Sequence, residues 1–339
     1  MKTSLTPVSR APLFRAFAAF AVLAAAVMLS LLHAPPVHAA APQVRTQAPG
    51  FYRMMLGSYE VTALLDGTHD FPVETVMTNV SRTDTDHDLA SDDLSLPVQG
   101  SINAFLINTG SQLVLIDTGA GVLYGDCCGH LLANLRAAGY RPEQVDLVLL
   151  THMHKDHVGG VMLDGQRAFP NAVVRASRRE ADYWLDANNK RTAPAFLSSF
   201  FDAAAQSVAP YIAAGRFQPF DGDATLAPGI RALAAPGHTP GHTAYVVQSG
   251  KETMLVWGDV IHVASIQLRD PAATVEYDSD ATAAQQTRHD LLALAAQRHY
   301  VIGAAHIAFP GLGHVSPDGA GYRWIPLNYD GDPAKHMAQ

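Results

Sequence analysis

Three histidines and one aspartate crowd into Thr151-His152-Met153-His154-Lys155-Asp156-His157. Imidazole nitrogen and carboxylate oxygen are the donors that a borderline divalent ion such as zinc prefers. A short loop can aim His152 and His154 to one side and Asp156 and His157 to the other, so one segment can serve two metals. The competing reading is a polar loop that happens to be rich in histidine. Further donors downstream weigh against it. His238 lies in Ala235-Pro236-Gly237-His238-Thr239-Pro240-Gly241-His242, Asp259 follows Met254-Leu255-Val256-Trp257-Gly258, and His306 follows Tyr300-Val301-Ile302-Gly303-Ala304-Ala305.

These donors need elements to bring them together. The first segment directly follows the apolar run Val145–Leu150, His238 follows Ile230–Ala235, and Asp117 follows Leu113–Ile116. Apolar runs of this length bounded by turn residues read as buried strands. Strand ends are where a sheet gathers side chains from distant parts of a chain. The 48% hydrophobic and 16% charged content fits a globular protein with a large core. Alternating strand and helix signals favour an α/β class. No linker, repeat or low-complexity run divides the chain, so residues 40–339 are expected to form one domain. Ser81 to Pro97, with Thr83-Asp84-Thr85-Asp86 and Ser91-Asp92-Asp93, reads as an exposed irregular loop.

Residues 1–39 read as a secretory signal peptide. Lys2, Arg10 and Arg15 form a positive start, Phe17 to Leu32 is apolar and rich in alanine, and Val37-His38-Ala39 offers small residues for cleavage. The apolar run is slightly short for a membrane span. The expectation is a periplasmic or secreted protein with no stable membrane anchor. The whole chain carries a net charge of −8, and the leader holds three cationic and no acidic residues, so the remainder is more acidic still. That balance is a poor match for nucleic acid. Cys127 and Cys128 are adjacent and are the only cysteines. Free or mutually bonded thiols fit them better than a catalytic role, and neither stands at a ligand position.

The pattern Asp117, His152-x-His154-x-Asp156-His157, His238, Asp259, His306 resembles the metallo-β-lactamase superfamily in its two-metal hydrolase branch, over roughly Val44 to Tyr329. The resemblance implies a four-layer αββα sandwich with the metals at one edge. His152, His154 and His238 would hold one ion, and Asp156, His157 and His306 the second. Asp259 would bridge the two beside a shared water or hydroxide, and Asp117 would orient a ligand histidine. Asp259, Asp156 and Asp117 are thus the carboxylates on which catalysis would depend. The β-lactam-cleaving members typically have cysteine or serine in place of that bridging carboxylate, so Asp259 argues against a true β-lactamase. Redox-active diiron members usually carry glutamate where His154 stands.

Other segments resemble one subgroup more closely. Phe169-Pro170-Asn171-Ala172-Val173-Val174, Gly237-His238-Thr239-Pro240-Gly241-His242-Thr243 and Phe309-Pro310-Gly311-Leu312-Gly313-His314 look like methyl parathion hydrolase and its relatives. That group cleaves organophosphate triesters, and some relatives prefer aryl esters or lactones such as dihydrocoumarin. Its pocket is lined by aromatics. Trp184, Tyr124 and either Phe200 or Phe201 would match them, ordinary packing being the alternative. His262 and Tyr277 replace leucines of the organophosphate enzyme, and His262 is either a core histidine or a substrate contact. His242 and His314 read as partners behind the ligands or as structural residues, and not as ligands themselves.

The function expected is a secreted dinuclear-metal hydrolase in which a metal-bridged hydroxide attacks a lactone or aryl-ester carbonyl. The ions would be zinc, or else cobalt or manganese, and a homodimer is possible. Phosphotriester hydrolysis is the alternative. An iron-dependent sulfur dioxygenase, which shares the His-x-His-x-Asp-His motif but uses one iron, suits a signal peptide poorly.

Overall fold

A computed structural model describes residues 22–28 and 41–332 of the chain. The chain divides into two compact units, residues 1–47 and residues 48–339. In the first, residues 22–28 are helical and 41–47 have no regular structure. The remainder of the expected leader lies outside the described residues. Among those described, no helix is long and apolar enough to cross a membrane.

The second unit is built on two sheets. The first contains β1 (Phe51–Leu56), β2 (Tyr59–Phe71), β3 (Val98–Asn108), β4 (Leu113–Ile116) and β5 (Leu147–Leu149). A small hairpin of β6 (Met162–Leu163) and β7 (Gln166–Arg167) precedes its last strand, β8 (Val173–Arg175), and the order across the sheet is β1-β2-β3-β4-β5-β8. The second sheet contains β9 (Thr225–Ala227), β10 (Ile230–Ala234), β11 (Thr243–Ser249), β12 (Glu252–Val256), β13 (Val301–Gly303), β14 (Leu312–Asp318) and β15 (Gly321–Pro326). These lie side by side in reverse sequence order.

Three apolar slabs define four layers. Phe105, Ile107, Val114 and Ile116 of the first sheet meet Ile230, Tyr245, Val247 and Met254 of the second in a shared central core. The opposite face of the first sheet packs Leu106, Leu115 and Val148 against Leu135, Trp184, Phe201 and Val208 of its helices. The outer face of the second sheet packs Val246, Leu255 and Ile302 against Leu291, Leu292 and Ala295 of the helix Ala281–Arg298. This is the αββα sandwich, and it explains the unbroken apolar runs: strands covered on both faces have no polar side to alternate.

Strand direction decides where the ligands fall. β4, β5 and β8 run parallel, as do β12 and β13. The loops leaving β4 and β5 therefore emerge at one end of the first sheet, and those leaving β12 and β13 at one end of the second.

One expectation fails. The segment expected as an irregular loop opens with a helix, Arg82–Ala90. The Ser81 hydroxyl accepts from the Asp84 amide and donates to the Asp84 carboxylate, Arg82 pairs with Asp86 one turn on, and Leu89 and Thr85 are buried. Ser-x-x-Asp is a helix-start signature. It was masked by a composition of Thr and Asp, which favours turns. Most of the segment is exposed, as expected, and residues 91–97 are irregular.

Candidate metal centre

Asp117 directly follows β4 with φ +59, a left-handed conformation that is costly for most residues with a Cβ. Its side chain shows what holds it there. Oδ1 accepts from the Thr151 amide at 2.8 Å, and Oδ2 accepts from the Thr151 hydroxyl at 2.8 Å and from His157 Nδ1 at 2.9 Å. With its proton given to Asp117, Thr151 Oγ1 is free to accept from His152 Nδ1 at 3.0 Å. Asp117 therefore fixes the same tautomer in two histidines, one directly and one through a hydroxyl. Both Nε2 lone pairs are left facing inward.

His154 leaves the loop after β5, and Asp156 and His157 lie in the single helical turn Lys155–Val158 that follows. His238 sits in the turn after β10. Its Nδ1 lies 3.0 Å from the carboxylate of Asp278, which receives its proton. His306 donates from Nδ1 to the Ser101 carbonyl at 2.9 Å. Asp259 follows Gly258, whose φ of +59 belongs to glycine, and a Cβ there would lie 2.6 Å from His242. His242 donates to the Ala235 carbonyl and accepts the Asp259 amide at 3.0 Å. It can accept because burial drives its pKa down to about 3. His242 is thus structural, as is His314, which donates to the Tyr300 carbonyl.

All seven residues expected as ligands come together. One donor atom from each of His152, His154, His238 and Asp259 lies within 4.8 Å of the others, and the same holds for Asp156, His157 and His306. Asp259 stands between the groups. Its Oδ1 lies 3.0 Å from His157 and 3.1 Å from His306, and its Oδ2 lies 3.3 Å from His238 and 3.6 Å from His152.

The donor set fits divalent ions. Nε2 of His152, Nε2 of His157 and Oδ1 of Asp259 are buried without a hydrogen-bond partner. Nδ1 of His154 and Nε2 of His238 approach to 3.1 Å. Buried polar atoms are rarely left unmatched, and converging lone pairs repel unless a cation lies between them. Protons are the alternative cations. Burial disfavours a charged His238, yet Asp259 and Asp278 beside it push its pKa up to about 9. Burial likewise favours a neutral Asp259, yet His157, His306 and His152 around it hold it well below the usual carboxylate range. His152 and His154, dominated by burial, are held well below the usual histidine range and stand ready as neutral donors.

A pocket above this floor is lined by His69, Phe71, Tyr124, Phe200, His262 and Tyr277 together with five of the ligands, His154, Asp156, His238, Asp259 and His306. Tyr124, Phe200, His262 and Tyr277 are therefore placed as expected. Phe200 rather than Phe201 faces the pocket: Phe201 is buried against Trp184 and Tyr183. Trp184 departs from expectation. It is 1% exposed and lies beneath the wall, its ring edge against His154 and its Nε1 donating to Glu180 at 2.6 Å. The aromatic is present at the expected place in the chain, but it supports a ligand rather than facing substrate. Cys127 and Cys128 are free thiols, and neither belongs to a ligand group.

Four contributors escaped the sequence reading. Glu180 is fully buried and accepts from the Met153 amide, the Thr239 hydroxyl and the Gly241 amide as well as Trp184. It ties the loop after β5 to the turn carrying His238. Its only sequence signal is Ser177-Arg178-Arg179-Glu180, a helix-start pattern that says nothing of the inward-turned carboxylate. Asp278 lies in an irregular stretch with no motif. His69 and Phe71 alternate along the end of β2, where nothing distinguishes them from ordinary strand residues.

Loop ends from two mixed sheets holding a divided carboxylate among histidines define a metal-binding αββα protein. Residues 97–306 match the metallo-beta-lactamase superfamily, and the chain belongs to that superfamily. Among solved structures it is similar to a hydrolase, AbOPH, in the beta lactamase superfamily, at 37% identity and a TM-score of 0.81, covering 84% of this chain and 100% of that one. It is also similar to AidC, a dizinc quorum-quenching lactonase solved with a product, at 28% identity and a TM-score of 0.77, covering 83% of this chain and 98% of that one. Among curated proteins, a probable metallo-hydrolase of Mycobacterium tuberculosis is 27% identical over 48% of this chain and 60% of its own length. An N-acyl homoserine lactonase of Bacillus cereus is 25% identical over 38% of this chain and 42% of its own length. The chain thus spans well under two thirds of the length of these two relatives.

Proposed function

We propose that this chain is a secreted or periplasmic dinuclear-metal hydrolase that opens lactones and cleaves aryl esters. The observation that carries the reading is the division of the Asp259 carboxylate, one oxygen toward His157 and His306 and the other toward His238 and His152. A carboxylate shared in this way suits two ions held side by side. His152, His154 and His238 would hold one, and Asp156, His157 and His306 the other, with zinc the best match to the donors. When bound, such a pair supplies Lewis acidity and a water acidified toward neutral pH.

The chain's own residues supply orientation. Asp117, Asp278 and the Ser101 carbonyl hold ligand rings by their far nitrogens, so the donor set is preorganised. Tyr124 keeps its hydroxyl proton, its pKa raised well above the usual tyrosine value by burial and by Asp156 nearby. It can donate that hydrogen to a substrate oxygen on which charge develops. Phe200 and Tyr277, with ring centres 6.3 Å apart, offer faces for a planar ring. The lactonase relatives support the choice of a lactone.

Organophosphate triester cleavage of the methyl parathion type is the second reading. It is favoured by the aromatic wall, which suits an aryl leaving group in either substrate class. A sulfur dioxygenase needs one ion and leaves the second complete ligand group without a use. The test is a hydrolysis screen of the zinc-loaded protein on dihydrocoumarin, phenyl acetate, an N-acyl homoserine lactone and methyl parathion. Activity on the first three is expected to vanish on chelation and return with zinc, cobalt or manganese. Full activity in a metal-free preparation would overturn the reading.

A further inference from the structure

Cys127 and Cys128 hold no ligand position, yet they join the wall of the pocket. Tyr124, which lines the pocket and meets His69 edge-on at 5.6 Å, precedes Cys127 by one turn in the helical segment Gly121–Cys127. The Cys127 thiol donates to the Tyr124 carbonyl at 3.3 Å, and its Sγ lies 2.8 Å from Sγ of Cys128. Cys128 is buried with Ile102 and Ala120, and Tyr124 packs against that cluster. Cys127 is half-buried, so solvent reaches the pair from its side.

The surroundings decide where a change in the pair is felt. Behind it β2 leaves no room: a Cβ on Gly67 would collide with the Cys127 carbonyl and lie 2.7 Å from Cys128 Cα. Asp66 accepts from the amides of Ala120, Gly129 and Leu131 and so pins the chain on both sides of the segment. What lies between is freer. Gly125 has φ +71, which glycine adopts without penalty, and a Cβ there would meet open space. A rearrangement at the cysteines is therefore passed along residues 121–127 toward Tyr124 rather than into β2.

We propose that Cys127 and Cys128 are a reversible oxidation site, at which a disulfide between the neighbours forms and moves Tyr124 in the pocket. The oxidant is a small disulfide such as glutathione disulfide. The Cys127 thiolate attacks one of its sulfurs, giving a mixed disulfide and one small thiolate. Cys128 then gives its proton to solvent, its sulfur attacks Cys127 Sγ, and the second small thiolate leaves. The pair loses two electrons and two protons, and the small disulfide becomes two thiols. Burial and the neighbouring Cys127 push the Cys128 thiol up, which leaves the more accessible Cys127 to react first. Closure removes the S–H that the Tyr124 carbonyl accepts. Adjacent Cα atoms also stand closer than disulfides prefer, so the bond is strained and readily reduced.

The oxidation stands apart from the hydrolase reading; only its effect on turnover rests on it. Zinc-loaded protein is treated with glutathione disulfide and then with a phosphine reductant. Intact mass should fall by two hydrogens and recover, with no glutathione adduct and no dimer on a non-reducing gel. Cys128→Ala should stop at the mixed disulfide on Cys127. A persistent adduct on the unaltered protein, an interchain bond or thiols that resist oxidation overturns the site. Movement is read by fluorine NMR of protein labelled with fluorotyrosine, with Tyr124→Phe assigning the resonance. Oxidation should shift the Tyr124 signal and reduction restore it, while Cys127→Ser, whose hydroxyl can still donate to the Tyr124 carbonyl, stays fixed. In step, kcat/KM on dihydrocoumarin should fall at least about fivefold, as for one lost hydrogen bond. An unmoved signal, or an active enzyme with equal kcat/KM in both states, overturns the coupling. A shifted signal in a protein that turns over no ester or lactone upholds the movement and sinks the hydrolase reading instead.

Discussion

The floor of the site and its wall are built on different principles. On the floor, His152, His157, His238 and His306 each have the nitrogen remote from the centre engaged by Thr151, Asp117, Asp278 or the Ser101 carbonyl. On the wall, His69, Phe71, Phe200 and Tyr277 meet one another and their neighbours through ring contacts, the Phe200 face also meeting Lys155 Nζ at 4.8 Å. The floor is locked by directional hydrogen bonds and the wall by ring contacts. Chemistry that needs donors fixed to fractions of an ångström belongs on the former, and selection among substrates belongs on the latter.

That contrast can be broken most severely at the floor. Asp259→Ala removes the one carboxylate facing both groups, and kcat/KM on dihydrocoumarin is expected to fall by more than about a hundredfold, beyond what loss of an outer partner produces. Metal analysis should find fewer than two ions per chain while circular dichroism reports an intact fold. Near-normal turnover with two ions bound would contradict the shared role. Asp117→Ala tests whether bonding behind the ligands matters equally to both groups. Because Asp117 holds His157 directly and His152 through Thr151, affinity for both ions should weaken by roughly 10- to 100-fold. Asp278→Asn should weaken only the ion held by His238. An Asp117→Ala variant that loses a single ion would show the two groups to be independent.

Proton competition sharpens the same contrast. The pKa of His238 is raised to about 9, so near neutral pH the metal-free site holds a proton that an entering ion must displace. Apparent affinity should therefore rise as pH increases from 6 toward 9, by up to about tenfold per unit for one displaced proton. Calorimetry in buffers of differing ionisation enthalpy should register proton release. Affinity independent of pH over that range would remove the argument. The smallest effect is expected at the wall. His262 is 7% exposed, and neither ring nitrogen has a hydrogen-bond partner, although Nε2 lies 3.2 Å from Asp259. A polar group so placed should disfavour a bulky dialkyl phosphotriester relative to a planar ester. His262→Leu should shift the ratio of kcat/KM for dihydrocoumarin over methyl parathion toward the latter by about tenfold. An unchanged ratio would assign His262 to packing.

The same division explains what could be read from the sequence. Each ligand follows an apolar run; β4, β5, β10 and β13 form within the runs that marked them, and β12 overlaps its run but begins two residues before it. Chemistry and position are local there: a histidine type, a spacing and a strand end. The partners behind the ligands are local only for Asp117. Glu180 comes from a helix in the outer layer and Asp278 from an irregular stretch, and nothing in their neighbourhoods predicts which way they turn. The wall is assembled from β2, the segment around Tyr124, the helix Ser198–Ala213 and the stretch around Tyr277. An aromatic on such elements can face substrate or pack one layer deeper at similar cost. That is how Phe200 came to the surface of the pocket while Trp184 went beneath it.

Each ligand group draws on both sheets. His152 and His154 leave the first while His238 and Asp259 leave the second, and Asp156 and His157 are joined by His306 in the same way. Neither half of the chain can therefore assemble a complete set alone. Ions that bind only the assembled sandwich stabilise it by mass action, in proportion to the logarithm of their free concentration. Metal supply thereby becomes a determinant of the stability of the folded sandwich as well as of activity, since a chain without its ions lacks that contribution.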